Sequence, residues 1–340
     1  MQEKYYNALA LSVEGNFSKL YRWQKEFSSW EAAWVKNQVA RINPDKEWEK
    51  LEKSGVRLIL RESEEYPPYL KETNTAPLGI YMKGNFSWLD QNAVAIVGTR
   101  KATPQGLDLA QKLAEELAQY DLPIISGLAL GIDAAAHAGA LEANGKTAAV
   151  LATGLDLVYP RQNANLAKEI LEKGGTLISE YPLGMPALPH QFIERNRIVS
   201  GLSRATIVIE APAESGSLAT AHFAVEQNRE VFVIPGPINH PNFSGSHALI
   251  REGARLATSA KEILEDLGLL EENPKTNQQK IPLTDPLQRK IFEIIQAAQT
   301  PLSVDKISEI SQVELRQLQS TLTFMLIQDV IKESSGKYFI

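Results

Sequence analysis

Short runs of apolar residues alternate with amphipathic stretches along the middle of the chain. Ala93–Val97 and Ala205–Ile209 are almost continuously apolar, which is typical of strands buried on both faces of a sheet. The first helical pattern runs from Pro104 to about Tyr120, and proline is favoured at the first position of a helix. This repeated alternation predicts an α/β fold with a doubly wound, mostly parallel sheet. Further strands are predicted at Ile124–Ser126, Thr147–Ala152, Thr176–Ser179 and Glu230–Ile234.

The pattern changes towards both ends of the chain, which predicts separate domains. All five tryptophans precede residue 90, and short amphipathic helices around them predict an N-terminal helical domain over residues 1–55. The sheet domain is then expected over residues 56–270. Residues 271–282 have few apolar side chains and two prolines, which is typical of a linker. Three helical patterns followed by a hairpin predict a winged-helix domain over residues 283–340.

The composition limits the classes of function. The chain has 340 residues and no cysteine, which excludes disulfides, thiolate metal sites and a thiol nucleophile. Its formal net charge of −6 argues against coating DNA by bulk electrostatics. The five histidines lack the HxH and HExxH spacings of zinc sites, so no metal is expected. We find no signal-peptide pattern and no membrane-length apolar run, and therefore expect a cytoplasmic protein.

Five loops that follow predicted strands are rich in glycine, hydroxyl and basic residues. In a doubly wound sheet these loops meet at one edge, outside the carboxyl ends of the strands, where ligands bind. Backbone amides at helix starts point at anions there, and glycine permits close approach. The composition therefore predicts a phosphate-binding edge, although each such loop could also serve only as a turn or cap. The side chains expected to contribute are Thr99, Arg100, Lys101, Thr103, Ser126, Arg161, Ser215, Ser217 and Thr220.

A second dense feature is the helical segment FIERNRIVSGLS, which begins at Phe192. Arg195 and Arg197 flank Asn196 and can point in different directions from one helix. We hypothesise that Asn196 or one of these arginines holds the loops of the site, and that Phe192 offers a face on which a base can stack. The alternative is a solvent-exposed helix face with an ion pair to Glu194.

Three known functional motifs are either absent or have the wrong spacing and context. The stretch GALEANGKT resembles a phosphate-binding loop, but it has five residues between its glycines and runs from a helix into a strand. We interpret it as a helix C-terminus capped by Gly145. No GxGxxG follows the first strand and no GxSxG is present, so neither a dinucleotide cofactor nor an acyl-transfer serine is expected. Asp133 is expected to cap or begin its helix.

Seven motifs follow one another between about Leu58 and Gly268: VGTR, SGLALGID, GLDLVYPRQN, SEYPLG, FIERNRIVSGLS, SGSLATA and VIPGPI. Their order and approximate spacing resemble those of the DprA/Smf family of DNA-processing proteins. The resemblance implies a Rossmann-like sheet domain between an N-terminal helical domain of the SAM or helix-hairpin-helix type and a C-terminal winged helix. In this resemblance Arg100 matches a DNA-contacting arginine. The residues that match loops lining the DNA pocket are Gly98, Thr99, Ser126, Gly127, Gly131, Asn163, Ser215, Gly216, Ser217 and Thr220.

The resemblance also implies a function and partners. Members bind single-stranded DNA, form homodimers and load the RecA recombinase onto DNA protected by single-strand-binding protein, in natural transformation and recombination, without catalysing a reaction and without a cofactor. The alternative is a nucleotide-processing enzyme on a related fold, similar to a phosphoribohydrolase. That class has a PGGxGT loop, and the nearest stretch here, SGSLATA, lacks its run of glycines. Neither terminal domain shows motifs that would assign DNA contacts to it.

Overall fold

The computed structural model describes the residues 2–89, 92–270, 285–298, 301–327, 330–334 and 336–339. The chain divides into two compact units, Met1–Leu270 and Glu271–Ile340. The predicted linker, residues 271–282, lies outside the described residues.

Four helices open the first unit, in the region where the tryptophan-rich pattern predicts them. Polar side chains fix the starts of three helices, because Asn16, Ser29 and Asn43 each accept a hydrogen bond from a backbone N–H of the following turn. The helices are α1 (Gln2–Ser12), α2 (Phe17–Glu26), α3 (Trp30–Asn37) and α4 (Pro44–Lys53).

Nine strands form the sheet of the first unit. They are β1 (Val56–Leu60), β2 (Gly79–Gly84), β3 (Val94–Gly98), β4 (Ile124–Ser126), β5 (Thr147–Leu151), β6 (Thr176–Ser179), β7 (Ala205–Ile209), β8 (Glu230–Val233) and β9 (Arg255–Leu256). Their order across the sheet is β1-β2-β6-β5-β4-β3-β7-β8-β9. The seven strands from β6 to β9 pair in parallel, whereas β2 runs antiparallel to both of its neighbours, β1 and β6. The predicted Rossmann-like, mostly parallel sheet is therefore confirmed.

Helices connect the parallel strands and cover both faces of the sheet, as expected for crossover connections. No described helix combines the length and the apolar character needed to cross a membrane. The helices after β1 are α5 (Pro68–Lys71), α6 (Pro104–Gln119), α7 (Ile132–Glu142), α8 (Ala164–Glu172), α9 (Pro189–Gly201), α10 (Gly216–Glu226), α11 (Ser244–Arg251) and α12 (Ala260–Asp266).

The four N-terminal helices pack directly on the sheet. Buried Leu9 and Trp30 belong to the same apolar core as Leu177 of β6. The hydroxyl of buried Tyr81 donates to Oδ1 of Asn7, at 2.9 Å, across this contact. The first unit thus includes both regions, and a domain boundary at residue 55 stays a prediction.

The second unit combines three helices with a small antiparallel sheet, which confirms the winged-helix class. Its core is formed by Ile291, Ile295, Ile307, Leu318 and Leu322. The elements are α13 (Pro286–Ala297), β10 (Leu302–Ser303), α14 (Val304–Ser311), α15 (Leu315–Ile327), β11 (Lys332–Ser334) and β12 (Lys337–Phe339), with strand order β10-β12-β11.

The C-terminal cap of α7 involves two residues, Asn144 and the predicted Gly145. Asn144, and not Gly145, takes the left-handed conformation after the helix, with φ of 55°. The backbone N–H of Gly145 completes the cap by donating to the carbonyl oxygen of Ala140, at 2.8 Å. Gly145 also has a packing role, because a Cβ at this position would lie 2.6 Å from the Cβ of Ala118 on α6. The glycine therefore permits the close approach of α6 and α7, which the sequence pattern alone did not indicate.

His137 on α7 is fully buried beside β5. Its Nδ1 lies 2.7 Å from the hydroxyl of Thr147, which itself donates to the carbonyl oxygen of Ile124. The hydroxyl therefore accepts the Nδ1–H of the ring. The ring's Nε2 has no hydrogen-bond partner among the described residues. Burial, together with the charge of Arg195, lowers the pKa of His137 to about 3 from its usual 6.5.

We expect His137 to make the first unit less stable in acid. Because its pKa is lower in the folded than in the unfolded chain, protonation below pH 6.5 favours unfolding. The free energy of unfolding should fall by about 1.4 kcal/mol per pH unit, or by about 2 kcal/mol between pH 6.5 and 5. Urea unfolding of wild type and His137→Met across this range tests the effect, since the variant should lose correspondingly less stability. Identical pH slopes would contradict it.

Candidate nucleic-acid interface

The order in which successive strands are added to the sheet reverses at β3. Strands β4, β5 and β6 follow on one side of β3, whereas β7, β8 and β9 lie on the other. Such a reversal leaves a crevice outside the carboxyl ends of the two central strands. A cleft of about 640 Å³ lies there, between the loops after β3, β4 and β7 and the first turns of α9. The predicted edge of the sheet is therefore a concave site.

An arginine and two aromatic rings form one wall of this cleft. The guanidinium carbon of Arg100 lies 5.1 Å from the centre of the Phe192 ring, within the range of a cation–π contact. The ring of Tyr159 is 5.5 Å from that of Phe192 and is 49% exposed. Arg100 is exposed and forms no ion pair with a carboxylate in the described part of the chain. Its charge is therefore available to a ligand.

The N-terminus of α10 forms the opposite wall. Ser215 caps this helix, with its Oγ 3.4 Å from the backbone nitrogen of Ser217 and 2.7 Å from the Ser217 hydroxyl. Asn196 of α9 donates to the carbonyl oxygen of Gly216, at 3.1 Å, and so ties the two helices together. Thr220 lines the cleft one turn further along. The amides and hydroxyls at this helix start favour an anion at this wall.

A buried arginine forms the floor. The Arg195 side chain donates to the carbonyl oxygens of Gly127 and Val150, and the residue is only 3% exposed. Nearby, Oδ2 of Asp133 accepts from the backbone nitrogens of Gly127 and Ala129, at 3.1 and 3.3 Å. Burial lowers the pKa of Arg195 to about 10, and Asp133 partly opposes this shift. Burial likewise raises the pKa of Asp133.

Eleven of the seventeen predicted site residues line the cleft: Gly98, Thr99, Arg100, Lys101, Gly127, Phe192, Asn196, Ser215, Gly216, Ser217 and Thr220. The remaining six lie outside the lining and are Thr103, Ser126, Gly131, Arg161, Asn163 and Arg197. DNA binding by the eleven stays a prediction.

Most of the six outer residues shape the loops. Ser126 is buried and donates to the carbonyl oxygen of Ile96, at 2.7 Å. Asn163 donates to the carbonyl oxygen of Leu128, at 2.8 Å, and to that of Ala129. Thr103 caps α6, and Gly131, with φ of 81°, adopts the left-handed backbone that precedes α7. Arg161 is exposed in a short turn over residues 161–163.

Arg197 points away from the cleft. Its Nη2 lies 2.6 and 2.7 Å from the two carboxylate oxygens of buried Glu180, and its guanidinium carbon is 5.2 Å from the centre of the Phe17 ring. A buried cation needs such a partner, because an unpaired charge would be costly. The expectation that Arg197 faces the ligand is therefore replaced by a structural role that ties α9 to α2.

Tyr159 and Glu214 line the cleft but were not predicted from the sequence, and Arg195 was predicted only as one of two arginines that could hold the loops. Tyr159 lies in one of the five loops and could have been selected as an aromatic at the sheet edge. Arg195 could not be distinguished from Arg197, since only packing fixes which helix face meets the sheet. No group of residues in the described ranges could hold a metal ion.

The sequence is similar to a known protein family over most of its length. A family model described as DNA recombination-mediator protein A matches residues 57–268. Protein Smf of Escherichia coli K12 is 46% identical over 217 residues, which cover 64% of this chain and 58% of that protein. The match therefore spans less than two thirds of that relative. Protein Smf of Synechocystis is 33% identical over 332 residues, covering 87% of this chain and 82% of its own length.

Two solved structures resemble the fold. DNA processing protein A from Streptococcus pneumoniae superposes with a TM-score of 0.64 at 35% identity, covering 78% of this chain and 93% of that chain. DNA processing protein A from Helicobacter pylori, described for its single-stranded DNA binding mode, gives a TM-score of 0.57 at 30% identity. That match covers 62% of this chain and 95% of the other.

Two glycines of the cleft should respond differently to substitution by alanine. A Cβ at Gly127 would lie 2.5 Å from the guanidinium carbon of buried Arg195, whereas a Cβ at Gly216 would meet nothing within 4 Å. We expect Gly127→Ala to lower the free energy of unfolding by about 1–3 kcal/mol through overpacking. Gly216→Ala is the matched control and should change it by less than about 0.5 kcal/mol. Urea titration checks both, and equal effects would disprove the packing of Arg195 against Gly127.

Proposed function

Because this chain belongs to the DNA recombination-mediator protein A family, we propose that it binds single-stranded DNA in the cleft beside β3 and β7. The observation that carries the proposal is the exposed Arg100 guanidinium stacked on Phe192, opposite the hydroxyl-rich start of α10. A cation, an aromatic face and a helix N-terminus at one cleft match the phosphates and bases of a single strand.

We propose that the two walls of the cleft bind different parts of the DNA. Ser215, Ser217 and the first amides of α10 hold phosphate oxygens, and Arg100 adds a charge-assisted hydrogen bond. Phe192 and Tyr159 provide surfaces on which bases stack, which contributes about 1–3 kcal/mol per base. None of these contacts reads a base edge, so we expect little sequence preference.

The same arrangement favours single strands over duplexes. Stacking on Phe192 or Tyr159 requires a base whose face is free, and the bases of a duplex are stacked on each other. Unpairing and unstacking a base costs a few kcal/mol, least where the nucleic acid is already single-stranded. We therefore propose discrimination through the accessibility of bases and not through groove recognition.

The biological role that we propose is that of a recombination mediator which acts by binding and not by catalysis. In this proposal a homodimer loads RecA onto single-stranded DNA, with single-strand-binding protein as a further partner, during transformation and recombination in the cytoplasm. The cleft does not favour the phosphoribohydrolase alternative, because Asp133, the carboxylate in the cleft floor, is already held by two backbone amides.

Arg100→Ala should weaken binding to a single-stranded oligonucleotide by about 10- to 100-fold. The basis is the loss of a charge-assisted hydrogen bond worth about 1.5–3 kcal/mol. Arg100→Lys should recover only part of this loss, because an ammonium lacks the planar fork. Fluorescence anisotropy, with single-stranded and blunt duplex oligonucleotides at matched salt, measures the effect; wild type should strongly prefer the single strand.

Arg251→Ala is the matched control, since Arg251 is exposed near the end of α11 and does not line the cleft. It removes the same charge and should change the affinity little. Neither variant should lower the melting temperature, because neither Arg100 nor Arg251 forms an ion pair among the described residues. Unchanged binding by Arg100→Ala, or equal affinity of wild type for both DNA forms, would refute the proposed function.

A further inference from the structure

Glu210 follows the last residue of β7 and is 1% exposed. Its backbone has φ of 51°, in the left-handed region that residues other than glycine seldom adopt. Its carbonyl oxygen accepts the backbone N–H of Thr99, at 2.8 Å, immediately after the neighbouring strand β3. A non-glycine residue held in this conformation is a candidate for a functional constraint.

The carboxylate of Glu210 reaches the other end of the same loop. Its Oε2 accepts the backbone N–H of Thr103, at 2.9 Å, and its Oε1 accepts the Thr103 hydroxyl. Residues 99–103 are thus held at both ends by one residue of the adjacent strand. Arg100 and Lys101, two cations of the cleft, lie between these two attachment points.

A third contact supports the same loop from its outer side. The amide nitrogen of Asn242 donates to Oε2 of Glu210, at 2.9 Å, and to the carbonyl oxygen of Lys101, at 3.1 Å. Gly106 leaves room for the carboxylate, since a Cβ there would lie 2.5 Å from the Glu210 Cδ. The amides at the start of α6 favour a negative charge at this position.

We propose that Glu210 is a positioning residue, which fixes residues 99–103 so that Arg100 lies over Phe192 and faces the DNA. This inference rests on the proposed function. Glu210 does not line the cleft and acts only through the loop that it holds. We call the contacts of Glu210 with Thr99 and Thr103 the clamp. The clamp explains how an exposed arginine in a short loop keeps a defined place without a carboxylate partner of its own.

Neutralising Glu210 should change the affinity for DNA in opposite directions if the residue positions the loop and if it acts only through its charge. A carboxylate near a phosphate site repels DNA, so neutralising it would tighten binding if its charge were all that mattered. In Glu210→Gln an NH2 group replaces one acceptor oxygen, so the side chain can no longer accept from the Thr103 hydroxyl as well as from the N–H groups of Thr103 and Asn242, as the carboxylate does. Positioning therefore predicts weaker binding from the same substitution.

Glu214→Gln is the matched control, because Glu214 is an exposed carboxylate in the cleft lining and undergoes the same chemical change. In an anisotropy titration of the full chain with a single-stranded oligonucleotide, we expect Glu210→Gln to lose about 10-fold in affinity, which is the effect of about 1.4 kcal/mol. Glu214→Gln should bind modestly more tightly. In an Arg100→Ala background, Glu210→Gln should cause little additional loss, since it acts through that loop.

Hydrogen exchange of the free protein tests the clamp without DNA. The amides of Thr99 and Thr103 should exchange faster in Glu210→Gln, while those of β4 and β5 stay protected. If Glu210→Gln fails to fold, Asn242→Ala removes one donor and should give a smaller loss of affinity and of loop protection. Unchanged exchange, or equal or tighter DNA binding by a folded Glu210→Gln, would overturn the proposal. A wild-type chain that does not bind single strands would instead refute the proposed function.

Discussion

The buried guanidinium of Arg195 joins three elements of the first unit. It extends from α9 and donates to carbonyl oxygens at the ends of β4 and β5. Hydrogen bonds of charged groups contribute about 1.5–3 kcal/mol, and a buried cation without them would be costly. This contact sets the rotation of α9 on the sheet. Phe192 and Asn196, on nearby faces of α9, then line the cleft, while Arg197 is directed towards Glu180 and α2.

The electrostatics of the site are local. The chain carries a formal net charge of −6, yet the cleft is lined by three cations, Arg100, Lys101 and Arg195, and two carboxylates, Asp133 and Glu214. Helix amides at the start of α10 add positive potential without formal charge. A site of this kind suits a single strand held by a few phosphates, whereas wrapping a duplex would need a wider basic surface.

The periodicity of the sequence predicted the parallel strands and helices well, because strands buried on both faces leave continuous apolar runs. It also predicted where the cleft lies, since parallel strands present their carboxyl ends at one edge. It could not assign Arg195 and Arg197 to their partners. The two residues differ by about 200° around a helix, and only tertiary packing decides which one meets the sheet. Ser126 and Asn163 had the residue types of ligand donors, but burial directs them to backbone carbonyls.

The central claim is that a single strand of DNA occupies the cleft of the first unit. Photo-crosslinking of the full chain to an oligonucleotide containing 4-thiothymidine, followed by peptide mapping, tests this claim most directly. We expect crosslinks in peptides that contain Phe192 or Tyr159, the two stacking rings of the cleft. Crosslinks found only between residues 285 and 339, in the winged-helix unit, would contradict it.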